Sequence, residues 1–391
     1  MTAEKDYFVY LLSCFLNGET PDARETDWNE IYRLADIHDV GGIVASLSKL
    51  LPSNARPQGT LRSLFNQVLG RTLQAYEKRL LAYDRIEAFL NENKIKHLYV
   101  KGAVVGDYYP VKELRTSGDI DIIVEKDCLE TLYSIVSESD IHIVDYVTET
   151  LTVSAYGTPI EIHNNADVMS GYFDDIFAMA KKASLYRYEL TDADQLIYVI
   201  CHLSKHLKYR GAGIRMLMDI DVMLRRLTSN PSFSEDEFYS LCEKAGILNV
   251  SRTLISLCNY WFGTPVKAYI NFSEERELLS LFEKVLLDGG SFGYEVSSIP
   301  ARYLDSDEKR LGFTSKIKVV LKMAFPDKNY LKKCYPYYAK NRFLYPFARV
   351  NRLFDGVFRK RNSSLDALNQ LKGDNSSAIQ KRLINELDIN D

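Results

Sequence analysis

The sequence predicts an α+β protein in which a small mixed sheet is flanked by N-terminal and C-terminal helical regions. Apolar residues recur at helical spacing before residue 94, short apolar segments with alternating polar positions follow, and helical spacing returns after residue 190. The 391 residues, 46% of them hydrophobic, suffice for two or three domains with real cores. Four regions are predicted: a helical region at 1–94, an α/β core at 95–190, a helical domain at 191–325, and a basic, aromatic-rich segment with a polar tail at 326–391.

The first 94 residues favour helices. Trp28, Ile31 and Ala35 recur with a helix-like period before a break at Gly41-Gly42. A long amphipathic stretch then runs from about Leu61 to Asn93, and the apolar residues that follow predict the first strand of the sheet.

Two aspartates lie one residue apart at the start of the next apolar strand, in the segment Gly118-Asp119-Ile120-Asp121-Ile122. Side chains alternate between the two faces of a strand, so the two carboxylates are expected on one face and the isoleucines on the other. Two acids on one face of a buried strand favour a bound cation, and oxygen ligands suit Mg²⁺. Without metal, repulsion between them should raise the pKa of at least one.

A third carboxylate is predicted on a neighbouring strand. Residues 152–163 resemble a hairpin with a turn at Gly157-Thr158-Pro159, and Glu161 lies late in its second strand. If that strand lies beside the aspartate strand, three carboxylates converge in a cluster that supports phosphoryl or nucleotidyl transfer. His163 shares the face of Glu161 and is either a ligand or a hydrogen-bonded neighbour of the cluster, the second being favoured.

Helical patterns follow the predicted sheet. Thr191 and Asp194 have the spacing of a capping box for a helix to about His206, and a second helix is predicted from Ile214 to Arg226. His202 and His206 have zinc-binding spacing, but Leu203 stands where a metalloprotease helix has Glu, so zinc is disfavoured. On these helices Lys205 and Arg215 are candidate phosphate contacts, and Asp219 is predicted to pair with Arg215, one turn earlier.

Several short motifs together resemble a bacterial family of uncharacterised nucleotidyltransferases, within the superfamily that includes DNA polymerase β and the aminoglycoside nucleotidyltransferases. These motifs are Tyr99-Val100-Lys101-Gly102, Tyr109-Pro110, Arg115-Thr116-Ser117-Gly118-Asp119-Ile120-Asp121 and Glu161-Ile162-His163. The resemblance covers roughly residues 25–230, including the helical segments around His202 and Arg215, and the remainder only loosely.

The resemblance implies that Asp119 and Asp121 bind the metal and that Glu161 is the third ligand or the general base. It also implies that the turn at Lys101-Gly102 opens a helix whose N-terminus accommodates the triphosphate. Many members of the superfamily have Ser after the glycine, whereas this chain has Ala103.

Arg115 and Ser117 precede the aspartates and are candidate nucleotide contacts. For Arg115, a salt bridge that orients the loop is the alternative.

Charge is distributed unevenly along the chain. Residues 309–361 contain fifteen Lys or Arg and two acids, which gives +13 against a net charge of −4 for the whole chain. This segment interleaves basic and aromatic residues, which is typical of a membrane surface, a nucleic-acid partner or a helical domain with buried aromatics. Six cysteines without CxxC spacing, no signal peptide and no membrane-spanning run predict a cytoplasmic protein, peripheral to the membrane if the basic segment binds lipid.

Together these features predict a Mg²⁺-dependent nucleotidyltransferase. It would transfer a nucleoside monophosphate from a nucleoside triphosphate, ATP being the first candidate, to a hydroxyl acceptor and release pyrophosphate. Two alternatives stay open: a catalytically degenerate nucleotide-binding or scaffold protein of the same fold, and a toxin-like enzyme that modifies tRNA or a partner protein. The acceptor is not specified by these motifs.

Overall fold

A computed structural model describes residues 1–147, 149–168, 170–209, 211–290 and 376–389. The basic segment 309–361, with the partners predicted for it, lies outside the described residues. The helices of the described part are α1 (Ala3–Asn17), α2 (Trp28–Ile37), α3 (Gly41–Ser48), α4 (Gly59–Glu92), α5 (Gly102–Val105), α6 (Leu129–Ser137), α7 (Ile176–Met179), α8 (Asp192–Tyr209), α9 (Ile214–Thr228), α10 (Glu235–Lys244), α11 (Leu248–Phe262), α12 (Arg276–Asp288) and α13 (Ser376–Glu386).

A seven-stranded mixed sheet lies among these helices. Its strands are β1 (His97–Val100), β2 (Ile120–Val124), β3 (His142–Val147), β4 (Thr150–Ala155), β5 (Thr158–His163), β6 (Lys181–Lys182) and β7 (Arg187–Glu189). The spatial order is β3-β4-β5-β2-β1-β7-β6. β2 pairs parallel with β5 and antiparallel with β1, so it has a neighbour on each side. This architecture confirms the predicted α+β fold with helices at both ends.

Helix boundaries follow local signals in the sequence. At the start of α8, the Thr191 hydroxyl accepts a hydrogen bond from the Asp194 N–H at 3.2 Å, which confirms the predicted capping. The break after α2 lies at residues 38–40, and Gly41 and Gly42 instead open α3. A Cβ on Gly42 would come within 2.8 Å of the Thr72 side chain, so the glycine lets α3 pack closely on α4.

The turn of the β4–β5 hairpin differs from the prediction. Tyr156 and Gly157 form a two-residue turn, with φ of 51° and 77°, and Pro159 lies within β5 opposite Ser154. The proline is tolerated because the pairing of β5 with β2 begins at Ile160, one residue later.

The two faces of the sheet bury different partners. Tyr99, Ile120 and Ile122 pack with the C-terminal half of α4 and with α6. On the other face, Leu98, Val100 and Ile123 belong to the large core shared with α8, α9 and α11. Asp121 alternates with Ile120 and Ile122 and therefore faces this helical side.

Within the described ranges, no helix combines the length and apolarity that crossing a bilayer requires. The five cysteines described there are free thiols, and four of them are buried.

Candidate active site

The candidate site is built on the two neighbouring parallel strands β2 and β5. Asp121 lies directly opposite Glu161 in the register of these strands, so the expected adjacency of the two strands is confirmed. Asp121 is almost fully buried, whereas 39% of the Glu161 side chain is exposed. Asp119 immediately precedes β2 and is half-buried. One carboxylate is therefore enclosed by protein, and two lie nearer the solvent.

The ammonium group of Lys101 contacts the buried carboxylate of Asp121. Its Nζ donates to Asp121 Oδ1 at 2.7 Å, and its side chain is 15% exposed. Its backbone has φ 54° and ψ −131°, a costly conformation for a residue with a Cβ. Hydrogen bonds from the Val104 and Val105 N–H groups to the Lys101 carbonyl, at 3.1 and 2.9 Å, hold this sharp turn from β1 into α5.

His163 joins the two carboxylates from the end of β5. Its Nε2 lies 3.4 Å from Asp121 Oδ1 and 3.6 Å from Glu161 Oε2. Its Nδ1 lies 3.1 Å from the Thr150 hydroxyl on β4. One ligand atom each from Asp121, Glu161 and His163 lie within 4.8 Å of one another, a group that does not include Asp119.

The two aspartates have opposite pKa shifts. Burial, followed by repulsion from Asp121 and Glu161, raises the pKa of Asp119 to about 6, as expected for one of the clustered acids. Burial would also raise the pKa of Asp121, but Lys101 and the hydrogen bond with His163 outweigh it and lower that pKa. Asp121 is therefore ionised throughout the neutral range, while Asp119 takes up a proton in mild acid.

A buried arginine lies directly under the glycine turn that follows β1. A Cβ on Gly102 would overlap Nη1 of Arg115 and come within 2.8 Å of the Ser117 hydroxyl. The Arg115 guanidinium is held by Asp219, with Nη2 2.8 Å from Oδ2 and Nε 3.3 Å from Oδ1. Tyr109 donates to the same carboxylate at 2.7 Å. Nη1 of Arg115 is buried and has no hydrogen-bond partner in the described part of the chain.

This pairing corrects the prediction for Asp219. The carboxylate binds Arg115, 104 residues away, and not Arg215 on its own helix. Arg215 instead donates to the Thr116 hydroxyl at 2.9 Å and contacts Asp39 at 3.4 Å. Asp219 is enclosed between Tyr109 and Arg115, so an exposed i,i+4 pair does not form.

Three arginines, Arg79, Arg115 and Arg215, lie around this loop. Arg79 donates to the Arg115 carbonyl at 3.2 Å and has no ion-pair partner among the described residues. Burial, then repulsion by Arg115, lowers the Arg79 pKa to about 10, and the same two causes lower the pKa of Arg215. Arg115 is thus paired with Asp219 and Arg215 with Asp39, whereas Arg79 interacts with the carboxylate of Asp107 without an ion pair, and an anion near Arg79 would be stabilised.

The remaining predicted residues lie on α8. Lys205 contacts the carbonyl of Asp167 at 2.9 Å and its carboxylate, and the pair is partly exposed. His202 and His206 contact each other through Nε2 at 3.2 Å. Neither histidine belongs to the metal-binding group found within the described residues.

The donor set fits a divalent metal ion. Carboxylate oxygens are ligands for Mg²⁺, and the converging ligand atoms share one face of the sheet. The ammonium group of Lys101 already contacts Asp121 on this face of the sheet, so a cationic group can be held there.

A carboxylate pair, a third acid on the neighbouring parallel strand and a glycine turn over a buried arginine thus lie together in the structure. The chain belongs to the family of uncharacterised nucleotidyltransferases, whose family model matches residues 24–263. That range contains the whole sheet and all predicted site residues. No curated protein matches the chain. Family membership supports transfer of a nucleoside monophosphate as the general activity.

Sequence reasoning placed His163 beside the cluster, as a ligand or a hydrogen-bonded neighbour, and left Arg79 out of the predicted site. The position of His163 followed from its spacing, because residues two apart on a strand share a face with the intervening side chain opposite. Arg79 carried no such signal, since it lies on a long helix with many other charged residues and reaches the site loop only through the packing of α4.

Proposed function

We propose that this protein is a Mg²⁺-dependent nucleotidyltransferase that transfers a nucleoside monophosphate from a nucleoside triphosphate to a hydroxyl acceptor, with release of pyrophosphate. The observation that carries the proposal is the pairing of Asp121 with Glu161 on adjacent parallel strands, with Asp119 two residues earlier. Bound Mg²⁺ would supply charge neutralisation to the phosphates, and Asp119, Asp121 and Glu161 are the residues that would hold it.

The triphosphate is proposed to lie over the turn at Gly102. Three features support this position: the absence of a side chain on Gly102, the buried Arg115 beneath it, and the positive charges of Arg79 and Arg215. Ser117 lies against the same turn. Lys101 would contact phosphate after it leaves Asp121, and Lys205, which is paired with Asp167, is a further candidate contact.

Glu161 is proposed to take the proton of the attacking hydroxyl. Its side chain is 39% exposed, against 5% for Asp121, so an acceptor can reach it from solvent. The attacking oxygen would then approach the α-phosphorus from the side of β5, and pyrophosphate would leave toward the arginines.

The decisive test measures transfer and binding separately. Purified protein is incubated with Mg²⁺ and labelled nucleoside triphosphates, and a panel of metabolites and RNAs is screened as acceptors by mass spectrometry. Asp119→Asn and Asp121→Asn should abolish pyrophosphate release while circular dichroism stays unchanged. Asp145→Asn, on an exposed position of β3, is the matched control and should retain full activity.

The same assay distinguishes a degenerate binding protein from an enzyme. A binder would retain labelled nucleotide and release no pyrophosphate with any acceptor. Unchanged transfer by both aspartate variants would refute the catalytic assignment.

A further inference from the structure

The geometry points to a preformed site for a transition-metal dication on Asp121, Glu161 and His163, with the His163 Nε2 as a direct ligand. This inference rests on the proposed function in taking these strands as the active site, and it adds a choice of metal. Mg²⁺ that arrives with the nucleotide would use oxygen ligands, whereas the ion at this trio would be one that accepts an imidazole nitrogen. Mn²⁺ is the probe of that class.

The imidazole ring of His163 is held in the orientation of a metal ligand. Nδ1 of His163 is held at 3.1 Å by the Thr150 hydroxyl, which lies opposite His163 in the register of β4 and β5. A ligating histidine is typically oriented in this way through its second nitrogen. The arrangement leaves Nε2 directed at Asp121 and Glu161.

Nε2 of His163 lies between the carboxylates of Asp121 and Glu161. It lies 3.4 and 3.6 Å from two carboxylate oxygens, and the His163 side chain is only 6% exposed. Without metal, Nε2 hydrogen-bonds Asp121; with metal, the ring proton would lie on Nδ1, which would donate to the Thr150 hydroxyl, and the Nε2 lone pair would coordinate the cation. One nitrogen and two carboxylates form a donor set in which the imidazole favours a transition metal over Mg²⁺, whose preferred ligands are oxygens.

Lys101 would compete with a bound metal ion for the carboxylate of Asp121. Its ammonium contacts Asp121 Oδ1, the same oxygen that lies nearest to His163 Nε2. A metal ion at the trio and the ammonium of Lys101 therefore compete for the negative charge of the same carboxylate. Loss of the lysine charge should tighten metal binding, an effect opposite to the loss of a ligand.

The test measures Mn²⁺ binding to the protein without nucleotide, by the electron paramagnetic resonance signal of free Mn²⁺, with Mg²⁺ as competitor. The His163→Gln variant should bind Mn²⁺ at least about tenfold more weakly while its affinity for Mg²⁺ changes little. Lys101→Met should bind Mn²⁺ at least about fivefold more tightly. His142→Gln, an exposed histidine on β3, is the matched control and should bind as the unmodified protein does.

A spectroscopic measurement on the unmodified protein removes dependence on the variants. Electron spin echo modulation of bound Mn²⁺ should contain a directly coordinated ¹⁴N. Absence of that nitrogen, equal Mn²⁺ affinity in His163→Gln, or no Mn²⁺ binding below about 1 mM would each overturn the inference. Because no nucleotide or acceptor is present, these outcomes are independent of whether the protein catalyses transfer.

Discussion

Substitution of Gly102 by Ala tests whether the buried arginine supports the glycine turn. The new Cβ would overlap Nη1 of Arg115 and lie 2.8 Å from both its Cζ and the Ser117 hydroxyl. Ser117 can rotate away, but Arg115 cannot, because its side chain is 5% exposed and fixed by two contacts with Asp219. Either the turn shifts or the ion pair opens.

The expected cost lies between two limits. Overpacking a core typically costs about 1–3 kcal/mol, and breaking a buried ion pair costs about 3–5 kcal/mol. We therefore expect the free energy of unfolding to fall by about 2–4 kcal/mol in Gly102→Ala, measured by urea denaturation followed by circular dichroism.

The neighbouring Gly106 provides a matched control. It has helical φ and ψ of −54° and −34°, and a Cβ there would meet only Cδ of Arg115 at 3.9 Å, an ordinary contact. Gly106→Ala should be neutral or stabilising by about 0.4–1 kcal/mol.

A double-mutant cycle identifies the clash itself. In an Arg115→Ala background, Gly102→Ala should add almost no further loss of stability, because the overlapping atoms are gone. Equal stability of Gly102→Ala and the unmodified protein, or full additivity of the two changes, would refute the proposed contact.

Three further predictions concern stability. Asp219→Ala should lower the free energy of unfolding by about 3–5 kcal/mol, because it leaves the Arg115 guanidinium buried without a counter-charge. Urea denaturation of the variant measures this loss, and a loss below about 1 kcal/mol would contradict the prediction. Burial lowers the pKa of His38 to about 4. The stability that neutral His38 contributes is therefore fully present above about pH 6.5, and it is lost progressively as the pH falls toward 4. The unfolding free energy should therefore drop by about 2 kcal/mol more between pH 7.5 and 5 in the unmodified protein than in His38→Gln, and parallel pH profiles would argue against this. Tyr156→Asn should stabilise by about 0.5–1 kcal/mol in thermal denaturation, since Asn adopts φ of 51° more readily; a lowered melting temperature would count against the turn assignment.

Local patterns in the sequence predicted most of the elements. The period of two in β2 placed Asp119 and Asp121 against Ile120 and Ile122, and the spacing of Thr191 and Asp194 marked the start of α8. Such signals concern residues within a few positions of each other, where backbone geometry alone decides which side chains share a face. The motifs also sufficed to recognise the family, because they bracket the site strands at characteristic spacings.

Tertiary structure decided which distant residues became partners. Arg115 pairs with the buried Asp219, and Asp219 is therefore not the partner of Arg215. Burial of this pair and the hydrogen bond from the Tyr109 hydroxyl to Asp219 favour the arrangement. The contact of Lys101 with Asp121 likewise depends on the antiparallel register of β1 and β2.

The same limit applies to the candidate metal group. The sequence determined that Glu161 and His163 share a face, but the pairing of β5 with β2 in parallel register, and of β4 with β5, brought Asp121 and Thr150 to them. Strand order and register follow from the packing of a whole core, in which many weak apolar contacts are satisfied together, and periodicity within one strand contains no information about its neighbour.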